Sequence, residues 1–488
     1  MTDREREGGT GEIAKDVYAP PGSAAEPGEE PPASAPATVE RTPPTLRNLI
    51  SLAWPVIVSR STQVVIGVSD AVMVASLGES ALAATTAGGL NTFALLILPM
   101  GITFIVSSFS SQLFGKGDVA GARRYGHYGL LLAAMTQVVC LAGIPLVPAL
   151  LARFPYTPDV RTMMAAYLQI RLLSGGAAIG IEALGNYYGG IGNTRLPMIA
   201  ALFAMLLNLA GNYAFIGGHW GAPAMGVSGA ALSNAISTWL AFLGFLAVFL
   251  WHGRGLARAK LSWREMARML TFRLPSGLNW FFEFYAFNIF VNVVVAGLGT
   301  TALAAMMAVM QINSLSFMPA FGVASAGAIL VGQAIGAGAK DEVPRIVKMT
   351  FATAGTWQTL VGVSYLLIPT LLFSPFAGDG GSVELIHTGK RMLMLSAAWQ
   401  LFDATAGTLA EALRAAGDTA FTLWARTVIA WVIFVPGSYV TVRYLRGGEL
   451  GAVAWMIAYM GLLAGTLALR FRSGAWRKLQ LVEPDLAV

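Results

Sequence analysis

The chain is 488 residues long, 55% hydrophobic and only 12% charged, a balance that excludes an ordinary soluble globular protein. A formal net charge of +6 would suit nucleic acid, but the basic residues collect in short turns between apolar blocks, where they act as topology signals. The single cysteine, Cys140, lies in an apolar run, which excludes a disulfide framework, and the residue alternation of an outer-membrane barrel is absent.

Residues 1–45 are rich in Pro, Glu, Ala and Gly and nearly free of aromatics. Such a segment cannot bury enough apolar surface to fold, so a disordered cytoplasmic tail is expected, and no cleavable signal peptide is visible. Twelve apolar spans follow, centred near residues 60, 97, 138, 175, 207, 240, 285, 317, 360, 400, 432 and 460. Each approaches the ~20 residues that a helix needs to cross a bilayer. The longest polar connection, His252 to Arg268, divides the spans six and six. The expected fold is an all-α polytopic membrane protein with twelve transmembrane helices. An N-terminal six-helix lobe (46–252), a cytoplasmic inter-lobe loop (253–268), a C-terminal six-helix lobe (269–473) and a cytoplasmic tail (474–488) make up the rest of the chain.

Charge sets the orientation. Loops near residues 79, 220 and 300 carry almost no Lys or Arg, with Arg153, Arg161, Lys390, Arg391, Arg443 and Arg446 as exceptions on that side. The opposite loops carry Lys116, Arg123, Arg124, Arg195, Arg254, Arg258, Lys260, Arg264, Arg268, Lys340, Arg345 and Lys348. The basic side is cytoplasmic, which places both termini inside a bacterial inner (plasma) membrane. The halves also repeat. Leu77-Gly78 with Ala81 to Ala84 recurs as Leu298-Gly299 with Ala302 to Ala305, Gln112, Gly115 and Gly117 as Gln333, Gly336 and Gly338, and Pro55 and Pro99 as Pro275 and Pro319. An even number of spans per copy gives both copies the same orientation. They are therefore expected to be related by a pseudo-twofold axis along the membrane normal, with a cavity between them.

Acids inside the spans carry the chemistry. Asp70 lies in the first span, with Gln63 two turns away on nearly the same face. Glu182 in the fourth span is as well explained by structure as by function, and could pair with Arg171, about three turns away in the same span. Asn208 and Asn212, an i, i+4 pair, could ligate a cation, bond Asp70 or simply join helices. Glu283 sits mid-span between Phe282 and Phe284, with Asn279 one turn earlier on the same face. A carboxylate at that depth must face protein or a wet cavity and is read as a cation or proton site. Asp403, in the tenth span, could join Glu283 in a two-acid site that favours binding a proton or cation. Glu411, nearer the inner end of its helix, could be solvated, and Arg60, on another face from Asp70, has no assigned role. Trp280, Phe284 and Met310 would suit a greasy, adaptable substrate pocket. The four histidines are scattered without metal-ligand spacing and no phosphate-binding P-loop is present, so neither a membrane-embedded enzyme nor an ATP-driven pump is expected. A passive channel would not need paired halves with buried acids. A monomer without cofactor is expected.

The motifs LAWP, SDAVMVASLG, QLFGKGD, LLNLAGNY, FFE, LVGQAIGAG and ALRAAGDT, in this order, resemble the MATE (multidrug and toxic compound extrusion) transporters, particularly the NorM branch, over residues 45 to 475. The resemblance implies two six-helix lobes in a V that export amphipathic, mostly cationic drug-like compounds in exchange for Na⁺ or H⁺ as coupling ion. It implies coupling roles for Asp70, Asn208, Asn212, Glu283 and Asp403, with Glu283 and Asp403 as possible Na⁺ ligands. Trp399 stands where related sequences often have a tyrosine one turn before the tenth-span acid, and indole cannot ligate a metal ion, which favours H⁺. The alternative within the same superfamily is a flippase or exporter of lipid-linked or polysaccharide cargo. It would call for a cationic cavity, whereas the intramembrane charges read as mainly acidic.

Overall fold

The computed structural model describes residues 41–154, 156–253, 261–376 and 383–482, with 268–276 as backbone alone, and every regular element among them is helical. In chain order the first half holds α1 (Leu46–Ala75), α2 (Glu79–Gly115), α3 (Val119–Gly143), α4 (Pro158–Leu172), α5 (Gly175–Gly190), α6 (Arg195–Gly217) and α7 (Val227–Trp251). The second half holds α8 (Trp263–Ile289), α9 (Thr300–Gly336), α10 (Val343–Leu367), α11 (Val383–Ala415), α12 (Thr419–Val428), α13 (Val435–Arg443) and α14 (Gly448–Arg472). With α4 joined to α5, and α12 to α13, these are the twelve expected spans. Among the described residues nine stretches are long and apolar enough to cross a membrane, and the α4–α5 pair, bent by 49°, makes a tenth. The remaining two, α10 and α11, stand where the ninth and tenth spans are expected.

Local chemistry accounts for the boundaries. Thr45 caps α1 by accepting from the Asn48 N–H at 3.3 Å, and Asp118 caps α3 by accepting from Gly121 N–H at 2.6 Å. The break between α4 and α5 frees backbone groups that hydrocarbon cannot satisfy. Gln137 of α3 takes up both, accepting from Gly176 N–H at 2.8 Å and donating to the Leu172 carbonyl at 3.3 Å.

The repeat is written in the backbone. α2 and α9 are each 37 residues, and each starts at a glycine with φ of 106°, Gly78 and Gly299. At roughly 55 Å, each is far longer than the hydrocarbon is thick. About two thirds (67%) of the most apolar stretch of each is buried in protein, against 22% to 39% for the other apolar spans, so these two form the interior. The outer helices turn apolar side chains outward, as with Val65, Val68 and Val72 on α1 and Val138 and Val139 on α3, the surface expected against lipid.

The halves meet reciprocally. α1 packs on α9, where Gly322 admits Ile57, and α8 packs on α2, where Gly277 admits Ile102. Among the described residues, the hydrogen bonds that join the halves gather toward the end that carries the basic loops. Gln112 reaches Ala415, Gln333 reaches Gly190, Arg124 and Tyr128 reach Glu265, and Arg414 reaches Phe104 and Ser108. The molecule is therefore closed on that side.

The segments outside the two lobes correct two expectations. Residues 41–45, assigned above to a disordered tail, are held in place: Arg41 pairs with Glu342 at 2.7 Å, and Thr42 N–H donates to Gln333 Oε1 at 3.2 Å. α8 begins at Trp263, inside the expected inter-lobe loop. The C-terminal segment folds back, burying Trp476 and placing Leu481 in the core of the first half. The expectations for residues 1–40, 254–260 and 483–488 lie outside the described residues.

Candidate functional site

Two cavities of similar size lie one in each half, about 460 Å³ in the first and about 430 Å³ in the second. Both volumes fall in the range of small-molecule sites. Phe93 and Arg414 border both.

The first-half cavity is built from α1, α2, α4, α5, α6 and α7 around Asp70, which is 6% exposed. Asn212 Nδ2 donates to Asp70 Oδ1 at 2.6 Å and to Asn208 Oδ1 at 3.3 Å, while Asn234 Nδ2 lies 3.4 Å from Asp70 Oδ2. The asparagine pair thus serves the carboxylate, one of the alternatives left open by the sequence. Asn212 Oδ1 and Asn208 Nδ2 are buried without partners, so polar capacity remains beside the acid. Gln63 borders the same cavity.

Glu182 does not pair with Arg171. Its two oxygens accept from Arg60 Nη1 and Nη2 at 2.9 and 3.0 Å, a bidentate contact between α1 and α5, and Arg171 donates to Asn234 instead. Arg60 thereby acquires a role. Its guanidinium also lies 5.3 Å from the Phe104 ring centroid, and Phe104 stacks on Trp280 at 5.5 Å, linking the cavities through an aromatic wall.

The second-half cavity has apolar walls rich in aromatic and methionine side chains. Trp280, Phe284 and Met310 line it, and Phe284 meets Phe93 of the first half edge-on at 5.6 Å. Glu283 and Asp403 both border it, as the two-acid expectation requires. Glu283, however, has company: its Oε2 is paired with Arg426 Nη1 and its Oε1 accepts from Tyr459 Oη at 3.1 Å. Asp403 Oδ2 accepts from Gln358 Nε2 at 3.0 Å, and Asp403 lies within electrostatic reach of both Glu283 and Arg426. Asn279 borders the cavity with its Oδ1 unpartnered. Trp399 belongs to the hydrophobic core of this half. Glu411 is not solvated: it is buried and paired with Arg414, which also donates to the Phe104 carbonyl at 2.7 Å.

These pairings overturn the reading of the intramembrane charge as mainly acidic. Asp70 and Glu182 of the first cavity are matched by Arg60 and Arg171, and the shared Arg414 borders it as well. In the second, Glu283, Asp403 and Glu411 face Arg414 and Arg426, which leaves one acid in excess. Arg426, Asn234, Gln358 and Tyr459 were missed by reasoning on acids alone. The signal for Arg426 was the same as for Glu283, a charge inside an apolar run (FTLWARTVIAWVIF). Glu283 is also not free for a Na⁺ ion in this conformation, because the Arg426 guanidinium already balances its charge. No group of three His, Cys, Asp or Glu among the described residues could hold a metal.

Comparison with known proteins places this geometry. The MatE family model matches residues 55–214 and again 275–440, the two halves of the repeat. The probable multidrug resistance protein NorM of Thermotoga maritima is 29% identical over 454 residues, covering 90% of this chain and 95% of that protein. A multidrug resistance MATE family transporter solved in an outward-facing conformation has a TM-score of 0.80 at 20% identity, covering 91% of this chain and 99% of its own. A MOP superfamily transporter from Pyrococcus furiosus, described as having a binding pocket of reverse polarity, also has a TM-score of 0.80, at 19% identity, covering 91% of this chain and 99% of its own.

Proposed function

The chain belongs to the MatE family, and on that premise we propose that it is a secondary active multidrug efflux transporter of NorM type. It exchanges Na⁺ or H⁺ for amphipathic, mostly cationic compounds by alternating access. The observation that carries this reading is the second-half cavity, where aromatic and methionine walls surround one carboxylate in excess of the arginines. Such a surface suits an aromatic organic cation, whose charge meets Asp403 while its rings pack on Trp280 or Phe284.

Alternating access is supported by the asymmetry of the inter-half contacts, which close the basic-loop side. The cargo enters from that side only when the contacts open. Coupling is assigned to Asp70 with Asn208 and Asn212 in the first half and to the Glu283–Asp403 pair in the second. One cation moving inward through 100 mV releases about 2.3 kcal/mol, and a tenfold gradient about 1.4 kcal/mol more. Exchanged one for one against a monovalent organic cation, the voltage part cancels, so two coupling sites give an exporter of cations a real advantage. Both termini are assigned to the cytoplasm of a bacterial inner membrane, on the basic side, and the transporter acts as a monomer without enzymatic activity.

A second reading, export of a lipid-linked or polysaccharide anion, draws support from the arginines in the first cavity. Arg60 is paired with Glu182, however, and Arg171 lies within electrostatic reach of Asp70, which leaves little positive charge for a phosphate. Proteoliposome uptake of tetraphenylphosphonium against a lipid-linked sugar phosphate separates the two. Gradient-driven movement of the organic cation supports the exporter, and movement of the phosphate alone refutes it.

A further inference from the structure

We infer that Arg426 is the resident cation of the second-half acid site and determines its ion specificity: its guanidinium takes the place at Glu283 that a mobile Na⁺ would otherwise fill. The inference rests on the reading that this cavity serves cation exchange, and it deepens it.

The geometry is specific. Glu283 comes from α8 and Arg426 from α12, and the acid's two oxygens are divided between Arg426 Nη1 and Tyr459 Oη. A guanidinium is monovalent, as Na⁺ is, and stays protonated throughout the accessible pH range, so it neutralises Glu283 for as long as the pair holds. Asp403, held by Gln358, is then the one acid of the cavity without an arginine bonded to it among the described residues. A metal cation of this class prefers several oxygen ligands. With Glu283 engaged, only Asp403 and neutral oxygens such as the unpartnered Asn279 Oδ1 and Gln358 Oε1 remain.

The surrounding backbone bears on the same pair. A π-helical turn over Phe290–Val295 follows Glu283 in its span, and another over Ile429–Phe434 follows Arg426. Phe290 and Phe434, one from each turn, meet at 4.8 Å between centroids. Such widened turns recur at functional sites in helices. Here they place the bonded pair on two spans that have local slack close by.

The test uses the full-length protein in nanodiscs, with ²²Na⁺ as probe and potassium keeping ionic strength constant. Wild type and the neutral double variant Glu283→Gln/Arg426→Gln are expected to bind no ²²Na⁺ in this half, while Arg426→Gln gains a site that the double variant lacks. Arg426→Lys, which keeps the charge, is expected to gain none. Wild-type ²²Na⁺ binding that disappears in the double variant overturns the inference, and so does a folded, monodisperse Arg426→Gln that gains no site. If Arg426→Gln does not fold, the comparison of wild type with the double variant still decides. Tetraphenylphosphonium binding to wild type, measured in parallel, reports on the cation-exchange reading: its absence refutes that reading, whereas the ²²Na⁺ results bear on Arg426 alone.

Discussion

Gln112 and Gln333 occupy equivalent positions in the two halves, and each hydrogen-bonds the opposite half. Gln112 Nε2 donates to the Ala415 carbonyl at 2.7 Å and Gln333 Nε2 to the Gly190 carbonyl at 3.1 Å. Beside them two glycines let the helix ends touch: a Cβ on Gly115 would lie 2.1 Å from Gln333 O, and one on Gly336 would lie 1.8 Å from Gln112 O. The sequence repeat thus forms a two-fold clasp across the basic-loop side, and under the proposed alternating access its opening is the step that admits cargo.

Loss of the clasp should shift the resting conformation. Each neutral hydrogen bond contributes about 1 kcal/mol, or roughly fivefold in an equilibrium. Gln112→Ala with Gln333→Ala is therefore expected to raise maleimide labelling of a cysteine placed at Ser111 on the order of tenfold or more, in a background where Cys140 is replaced. Gly336→Ala should act in the same direction, because the atom it meets is backbone and cannot swing aside.

The Arg60–Glu182 pair should behave as a structural unit. Glu182→Gln leaves a guanidinium half-buried without its bidentate partner and is expected to destabilise by about 1–3 kcal/mol. Arg60→Met combined with Glu182→Gln should recover most of that loss. Thermal unfolding of the four species gives the coupling directly. Additive effects would show that the pair is not a unit.

How much of this was legible in the sequence divides cleanly by physical origin. The twelve spans, the repeat and the cavity-lining acids follow from hydropathy, loop charge and the depth of Asp70, Glu283 and Asp403. Pairing between helices does not. Arg60 and Glu182 are 122 positions apart and Arg426 and Glu283 are 143 apart, so no helical periodicity connects them. Arg171 shares a span with Glu182 and was the partner weighed for it despite a separation of about three turns, yet the 49° bend between α4 and α5 intervenes and Arg171 turns to Asn234 on α7. Residues 41–45 were read as tail from composition, because composition does not register the groove between Gln333 and Glu342 that holds them.

The C-terminal segment is expected to contribute to stability rather than to hang free. Leu481 is 1% exposed, in the core of the first half although it follows the last helix of the second. Leu481→Ala should destabilise by about 2–3 kcal/mol, the lower part of the range for buried leucines. A melting temperature equal to wild type would place that side chain in solvent.

Asp70 and its asparagines should act on coupling rather than on folding. Asn212→Ala removes the 2.6 Å bond to Asp70 and is expected to lower ion-driven transport several-fold, with insertion and thermal stability close to wild type. Transport at the wild-type rate would release Asp70 from the mechanism.

Asp403 gives the most direct test of the central claim, because its replacement strands no arginine bonded to it, whereas Glu283→Gln strands Arg426. In proteoliposomes with an imposed pH or Na⁺ gradient, wild type should accumulate tetraphenylphosphonium under at least one gradient. Asp403→Asn, folded and inserted, should lose that accumulation and bind the cation on the order of tenfold more weakly. Accumulation by Asp403→Asn at the wild-type level, or none by wild type under either gradient, would contradict the account.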